Sequence, residues 1–384
     1  MSQMTADGQH IGALDGLRGL AALWVLLSHV GILVGMPSVP VLSWGGSAVD
    51  LFMMISGFLM AHHYLGRYQT KAWNAPRTWM HFWTKRWFRI APAYFILLGL
   101  ALLLGPTLGE FRTEIAAHYP WTATRPERYL DRSWTNVAAH LTFIFGAFPQ
   151  FAFRTPLPDW SIGLEMQFYA ALPFLMLVLG PGLRTWRTVL VVLSTFVLSI
   201  SFRGFYALFD MPSFLLIKLP VFMVGVLVAY GLAHRKMGLP ILLVSLISLL
   251  NLVRIHNAEA VLFAIMAAGF CVLLAGQHLP GLRTLHRALQ PLREALGSRY
   301  GAIAGDYAYS IYLLHLLFLL PLAAVLLRHS WFADLGAWQR WSLASLLVLP
   351  PCLLACWLLH HFVEQPGINV GKRVAERFRG CSEA

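Results

Sequence analysis

Long apolar runs that recur along almost the whole chain constrain this sequence more than any other feature. A helix needs about 20 apolar residues to cross the hydrocarbon core of a bilayer, and ten runs of about that length alternate with polar segments. Hydrophobic residues make up 58% of the 384 residues and charged residues 12%, whereas soluble domains average roughly half and a quarter. The sequence therefore predicts an all-α polytopic membrane protein, one domain over 1–384, with about ten transmembrane helices. The predicted spans are 14–34, 42–62, 87–104, 160–180, 187–206, 212–232, 237–254, 259–276, 306–328 and 339–362.

One weaker apolar run, 134–150, is shorter than the others and ends in Pro149 and Gln150. Irregular backbone is tolerated at membrane depth where protein buries it, so we interpret this run as a re-entrant or interfacial segment. The first apolar run lacks the basic region and the small-residue cleavage site of a signal peptide. We expect it to be retained as a span.

The basic residues predict the orientation. An even number of spans places both termini on one side of the membrane, and lysines and arginines favour cytoplasmic loops. The short tail at 363–384 contains Lys372, Arg373, Arg377 and Arg379, and most other loop lysines and arginines lie on the tail's side. The sequence therefore predicts cytoplasmic N and C termini.

Composition also narrows the function classes. The net charge of +12 is spread over short loops and no nucleic-acid-binding motif accompanies it, so we expect membrane lipid and not nucleic acid as a partner. Four cysteines form no CxxC pair, and structural metal sites need more ligands at closer spacing. We expect no metal site.

The first span carries two polar residues in "LRGLAALWVLLSH", Arg18 and His29. A charge inside a bilayer costs several kcal/mol, so such residues usually have a function or a partner. Eleven helical residues return to about the same face, roughly 16 Å further along the axis, so both residues line one stripe. Two alternatives remain open: Arg18 pairs with Asp15 and extends to the interface, and His29 is a packing residue.

Two carboxylates fall at a similar depth to His29 when each span is measured from its outer edge. Asp50 lies in "AVDLFMMISGF" and Glu165 in "DWSIGLEMQFY". A histidine with nearby carboxylates is the combination that general acid–base chemistry needs. We therefore expect His29, Glu165 and Asp50 to be catalytic. The alternatives are that Asp50 caps its span and that Glu165 bonds to backbone.

At the inner end of the third span, "KRWFRIAPAYF" places Arg86 and Arg89 three residues apart. Arginines on adjacent helical turns present two guanidinium groups to one phosphorylated ligand, although both also fit the charge bias of cytoplasmic loops. Lys218 and His315 lie in the middle of spans and fit polar packing between helices.

Six segments in order resemble the membrane-bound acyltransferase 3 family, and the resemblance runs from about residue 11 to 367. The last two segments contain His315 and Glu364, and the central segment places Glu165 on the first acidic position of the family's motif. The family usually has a second acidic residue next, where this chain has Met166, so any role of that residue is absent here. The segments are "LDGLRGLAALWVLLSHV", "AVDLFMMISGFLM", "RWFRIAPAYF", "WSIGLEMQFYAALP", "AYSIYLLH" and "FVEQPG".

The resemblance implies an integral-membrane O-acyltransferase of the bacterial inner membrane. It implies transfer of an acyl group, most often acetyl from acetyl-CoA, to a hydroxyl of a surface carbohydrate or lipid-linked glycan, with acyl-CoA as donor substrate and no bound cofactor. His29 would be the catalytic histidine, with Glu165 orienting it. The expected substrate-binding residues are Arg18, Arg86, Arg89 and His315.

A proton-coupled transporter or flippase is the alternative function, because intramembrane histidines and carboxylates also form proton relays. Such proteins commonly show internal repeats and interrupted helices in corresponding halves. The sequence shows neither, which favours the acyltransferase.

Overall fold

The computed structural model describes residues 11–67, 73–183, 185–255, 257–279 and 281–378. Regular structure in these ranges is helical throughout. The α-helices are α1 Gly12–Leu33, α2 Gly45–Arg67, α3 Pro76–His118, α4 Glu127–Leu130, α5 Trp134–Leu141, α6 Trp160–Leu179, α7 Thr185–Ser201, α8 Arg203–Tyr206, α9 Leu215–His234, α10 Gly238–Ile255, α11 Ala258–Ala275, α12 Arg283–Ala288, α13 Gln290–Leu296, α14 Arg299–Leu327, α15 Ser330–Ala333, α16 Ala337–Leu359 and α17 Gln365–Glu376.

The predicted fold class is confirmed. Within the described ranges, nine helices are long and apolar enough to cross a membrane: α1, α2, α3, α6, α9, α10, α11, α14 and the continuous stretch of α16 and α17. The remaining predicted span coincides with α7, whose apolar stretch Thr185–Leu198 is shorter than the others. Each of the ten predicted spans therefore corresponds to a helix.

Two helices extend well beyond their predicted spans. The 43 residues of α3 measure about 64 Å, so the predicted span 87–104 is only its middle part. After α16 a π-helical turn at His360–Glu364 leads directly into α17. The described part of the predicted tail is therefore helical as far as Glu376. Pro366 does not interrupt it because proline is well tolerated in the first turn of a helix such as α17.

The tail helix α17 packs against the beginning of α3. A Cβ added at Gly367 would lie 2.9 Å from a carbon of the Pro92 ring, and one added at Gly371 would lie 2.4 Å from Cβ of Phe88. These contacts attach α17 to the part of α3 that carries Arg86 and Arg89. Residues 379–384 lie outside the described ranges.

The segment 134–150 contains the eight-residue helix α5 and a 3₁₀ turn at Ile144–Ala147. Eight helical residues extend about 12 Å, less than half of a bilayer core. The segment therefore does not cross a membrane as a helix.

Helices α1 and α14 run parallel and approach closely through small residues. A Cβ at Gly19 would lie 2.4 Å from Cβ of Ala304, and a Cβ at Gly305 would lie 2.6 Å from the main-chain oxygen of Asp15. Glycine is common where membrane helices approach so closely. This seam places the polar residues of the two helices side by side.

Helices α2 and α9 form a second parallel pair. A Cβ added at Gly57 would lie 2.1 Å from the main-chain oxygen of Phe222, and a Cβ added at Gly225 would lie 1.9 Å from that of Met54. Helices α3 and α6 pack beside these two pairs. Together the six helices enclose the polar residues described next.

Candidate functional site

A cavity of about 390 Å³ lies between α1, α2, α3, α6, α9 and α14. Its volume falls within the usual range for small-molecule sites, roughly 300–1,000 Å³. It is lined by Arg18, Arg86 and Arg89 together with Glu165, so the structure brings together four of the residues selected from the sequence. Arg89 is exposed and marks where the cavity meets the surface.

The three arginines are not neutralised by close ion pairs. The ion pairs in the described part of the chain involve other cations, and none includes Arg18, Arg86 or Arg89. Three carboxylates, Asp15, Glu165 and Asp306, also line the cavity. The cavity therefore combines guanidinium groups that can bind an anion with carboxylates at a greater distance.

Arg86 is positioned by aromatic rings. Its guanidinium carbon lies 5.7 Å from the ring centroid of Tyr169 and 5.8 Å from that of Phe82, within the range of cation–π attraction. Its Nε is buried and has no hydrogen-bond partner in the described residues. An unsatisfied buried donor is costly, so this nitrogen is available to a ligand in the cavity.

Glu165 belongs to the arginine cavity. Its Oε1 accepts hydrogen bonds from Ser56 Oγ, at 2.9 Å, and from the Tyr169 hydroxyl. Arg18 interacts electrostatically with Glu165. The described lining of the cavity does not include His29, so this cavity does not join Glu165 to His29 as the equal depths led us to expect.

Asp50 also has a different neighbour from the expected one. Its Oδ1 accepts a hydrogen bond from Lys218 Nζ at 2.6 Å, between α2 and α9. This ion pair gives a partner to two groups that the sequence analysis treated separately. The catalytic role of Asp50 stays a prediction.

His29 and His315 form a pair further along the seam between α1 and α14. Nδ1 of His29 lies 3.3 Å from Nε2 of His315, and the ring centroids are 4.9 Å apart. His315 is fully buried, whereas His29 is partly exposed. The sequence suggested both residues but did not predict their contact.

The main chain sets the tautomer of both rings. Nδ1 of His29 lies 2.9 Å from the Val25 carbonyl oxygen, and Nδ1 of His315 lies 3.1 Å from that of Ile311. A carbonyl oxygen only accepts hydrogen bonds, so each neutral ring carries its hydrogen on Nδ1. The one Nδ1 hydrogen of His29 is then shared between the Val25 carbonyl and Nε2 of His315, the longer contact, and the lone pair on Nε2 of His29 is available as a base.

Tyr312 connects the cavity to the histidine pair. It lines the cavity, and its ring centroid is 6.3 Å from that of His315, one turn further along α14. Its hydroxyl accepts a 2.8 Å hydrogen bond from Ser161 Oγ, so its own hydrogen can be donated elsewhere. The sequence did not point to Tyr312, Ser161 or Tyr169, although each lies within four residues of a selected residue.

No group of three or more potential metal ligands occurs among the residues that the structure describes. The charged groups of the cavity are arginines and carboxylates. These charged groups can act through ion pairing and hydrogen bonding.

Comparison with known proteins gives partial matches to acyl-transferring membrane proteins. A protein of Komagataeibacter xylinus whose name describes a membrane-bound transacylase, BcsY, is 33% identical over 179 residues, 46% of this chain and 40% of that protein. The peptidoglycan O-acetyltransferase OatA of Listeria monocytogenes is 27% identical over 177 residues, 44% of this chain and 25% of OatA. The matches thus span less than half of these relatives. No solved structure matches significantly.

The family comparison covers far more of the chain. The model of the family Acyl_transf_3, described as an acyltransferase domain, matches residues 11–361. This range contains the arginine cavity, the histidine pair and all the helices from α1 to α16. This multi-pass membrane protein therefore belongs to the acyltransferase 3 family.

Proposed function

We propose that the protein transfers an acyl group, chiefly acetyl, from acyl-CoA to a hydroxyl of an extracytoplasmic carbohydrate or lipid-linked glycan. The observation that carries this proposal is the presence of Arg18, Arg86 and Arg89, without close ion pairs, in one cavity beside the histidine pair. Guanidinium groups bind phosphate through short, charge-assisted hydrogen bonds. The relatives' names, which include an O-acetyltransferase acting on peptidoglycan, support the same reaction class.

On the donor side, Arg86 and Arg89 bind the phosphates of CoA, and the pantetheine arm extends past Arg18 towards Tyr312. Glu165 acts here by holding Ser56 and Tyr169 through its Oε1. Tyr169 in turn lies beside the guanidinium of Arg86. This contact chain makes Glu165 a positioning residue for the arginines, in place of the orienting role towards His29 that we expected.

On the reaction side, His29 is the general base. Its Nε2 takes the proton of the acceptor hydroxyl while the hydroxyl oxygen attacks the thioester carbonyl carbon. The carbon–sulfur bond then breaks, and the CoA thiolate receives the proton from His29. His315 stabilises the protonated ring because its Nε2 accepts from His29 Nδ1, so its role is positioning and it is not a direct contact to substrate.

The tetrahedral intermediate needs a hydrogen-bond donor for its negatively charged oxygen. Tyr312 fits this role because its hydroxyl accepts from Ser161 and lines the end of the cavity nearest the histidine pair. The hydroxyl hydrogen is then directed away from Ser161. We assign Tyr312 as the oxyanion donor.

We also propose that the protein lies in the bacterial inner membrane with both termini in the cytoplasm. Acyl-CoA is a cytoplasmic donor, and Arg18, which lines the arginine cavity, lies in the second turn of α1. A reporter fused after Ala384 should then be cytoplasmic, and a reporter inserted at Glu127 should be external. The opposite labelling would place the arginines on the wrong side for the donor.

The direct test uses purified protein in liposomes with radiolabelled acetyl-CoA and de-O-acylated envelope glycan from the host cell. Wild-type protein should release CoA and label the glycan in equal amounts, and the His29→Gln variant should do neither at a comparable rate. Export of glycan without consumption of acetyl-CoA would favour the transporter and contradict the proposal.

A further inference from the structure

A second cavity, of about 620 Å³, lies between the last turns of α3 and the short helix α4. It is separate from the arginine cavity: Arg112 lines it, and 23 residues of α3 separate Arg112 from Arg89. That separation corresponds to about 34 Å along a helix, roughly the thickness of a bilayer core. The two cavities therefore lie near opposite ends of α3.

The wall of this second cavity is closely fitted. Two glycines of α3 receive Tyr129 of α4: a Cβ at Gly105 would lie 2.2 Å from the Tyr129 main-chain oxygen, and one at Gly109 would lie 3.0 Å from the Tyr129 Cβ. Tyr129 is only 5% exposed. Its ring is held against α3 while lining the cavity.

Three polar atoms around the cavity are buried and have no hydrogen-bond partner in the described residues. They are Arg112 Nε, Thr124 Oγ1 and the Tyr129 hydroxyl, and all three residues line the cavity. Buried polar groups in proteins are almost always satisfied. Three unsatisfied groups around one cavity therefore indicate a polar ligand that supplies their partners.

The charge of the cavity does not point to a simple anion site. Arg112 makes no ion pair in the described chain, but Glu110 and Glu114 line the same cavity. Glu114 is engaged by Arg328, with Nε at 3.0 Å and Nη2 at 2.8 Å. Glu110, which is exposed, then offers the cavity a hydrogen-bond acceptor.

The lining fits a sugar ring. Arg112, Thr124 and Tyr129 supply hydrogen-bond donors, and the two hydroxyls also accept. Pro106, Pro126 and Leu130 supply apolar surface. A glycosyl unit has hydroxyls at its edge and C–H groups on its faces. Its hydroxyls can bond to the polar groups of the lining, and its faces can pack against the apolar surface.

The cavity is also close to the proposed base. Arg112, which lines the cavity, and Arg128, which precedes Tyr129 in α4, both interact electrostatically with His29. The turn after α1 touches the end of α3, where a Cβ at Gly35 would lie 2.1 Å from the Tyr119 ring. The second cavity thus lies at the His29 end of α1.

We propose that this second cavity is the acceptor subsite, which binds a glycosyl unit through Arg112, Thr124 and Tyr129 and presents its hydroxyl towards His29. The name acceptor subsite rests on the proposed function, since an acceptor exists only if the protein transfers an acyl group. Binding of the glycan at this cavity does not require that reaction.

The test therefore measures binding and turnover separately. Equilibrium binding of de-O-acylated envelope glycan to the purified protein, without donor, should be about tenfold weaker for Tyr129→Phe and for Arg112→Gln. Both variants should raise the half-saturating glycan concentration in the acetyl-CoA assay by a similar factor and leave that of acetyl-CoA unchanged. Tyr300→Phe and Arg125→Gln are the matched controls, since both side chains are exposed and lie outside the cavity.

Each failure has a separate meaning. Wild-type protein that consumes acetyl-CoA but binds no glycan, or variants that bind glycan normally, would overturn the acceptor subsite. Competition by inorganic phosphate for wild-type but not for Arg112→Gln would replace it with an anion site. Wild-type protein that binds glycan through these residues but consumes no acetyl-CoA would contradict the proposed function and leave the glycan site standing.

Discussion

On the parallel helices α1 and α14, Arg18 and Asp306 line a charged cavity, whereas further along the same helices His29 contacts His315. The cavity gathers residues from six helices, and its arginines have no close counter-ion in the described chain. The histidine pair uses only two helices, and the main chain of each helix fixes its own ring. The arginine cavity thus has positive charge without a close counter-ion, and the histidine pair has a defined tautomer.

This difference separates two tasks. Positive charge that the protein leaves unpaired is suited to a ligand that brings its own negative charge. A ring whose Nδ1 is bound to a carbonyl presents the same Nε2 lone pair in every molecule, which is suited to proton transfer. We therefore expect substitutions in the cavity to change binding of the donor and substitutions in the pair to change the rate of the chemical step.

The largest effect should come from breaking the seam that both regions share. Gly19→Leu places a branched side chain where even a Cβ meets Ala304 at 2.4 Å, so α1 and α14 cannot keep their spacing. Both regions should be lost together because the protein no longer forms a monodisperse folded species. Size-exclusion chromatography of detergent-extracted protein measures this loss directly.

The matched control is Gly269→Leu in α11, where no atom lies within 4 Å of an added Cβ. That variant should remain folded and active, since glycine to leucine also improves helix propensity. A folded Gly19→Leu variant with intact activity would show that the seam does not hold the two regions.

A kinetic test of one residue from each region distinguishes the chemical step from donor binding. His29→Gln should lower kcat by about 10²–10⁴-fold, the usual contribution of a general base, and leave the KM for acetyl-CoA near the wild-type value. Arg86→Ala should raise that KM about 10- to 150-fold, because a lost charge-assisted hydrogen bond costs about 1.5–3 kcal/mol. Steady-state kinetics with acetyl-CoA varied at saturating glycan separates the two.

A reversed split would contradict the division of tasks. If Arg86→Ala lowered kcat alone, its guanidinium would act in the transition state and not in donor binding. Thermal stability measured on both variants serves as the control, since a packing role for His29 would appear there as a loss of stability.

The sequence identified the polar residues of the cavity better than it estimated their depths or their neighbours. Arg18, Arg86, Arg89 and Glu165 were chosen individually, and the structure places all of them on one cavity. Counting residues along each helix placed Glu165 at the depth of His29, whereas the structure places Glu165 in the cavity with Arg18. Which helices lie side by side depends on close contacts such as the one between Gly19 and Ala304, and that information is spread over distant segments.

The same limitation explains the residues that were paired wrongly or missed. Asp50 lies at a depth similar to that estimated for His29, yet Lys218 of α9 is its neighbour. Tyr169 and Tyr312 gave no signal because tyrosine is ordinary in membrane helices and at their interfaces. The extent of α3 and α17 was also underestimated, since hydropathy finds only the apolar part of a helix that continues into water.

The smallest effect concerns the point where the two regions meet. Ser161 donates the 2.8 Å hydrogen bond that fixes the hydroxyl of Tyr312. In Ser161→Ala the tyrosine keeps its hydroxyl but loses this constraint, and a hydrogen bond of this kind contributes about 1 kcal/mol. We expect kcat to fall about fivefold with an unchanged KM for acetyl-CoA, since the oxyanion donor is misplaced for part of the time. Ser194→Ala in α7, whose hydroxyl bonds to the Val191 carbonyl, is the control and should show no change. An increase in the KM for acetyl-CoA without a change in kcat would place Tyr312 with the arginine cavity, as a donor-binding residue, and would leave the oxyanion without an assigned donor.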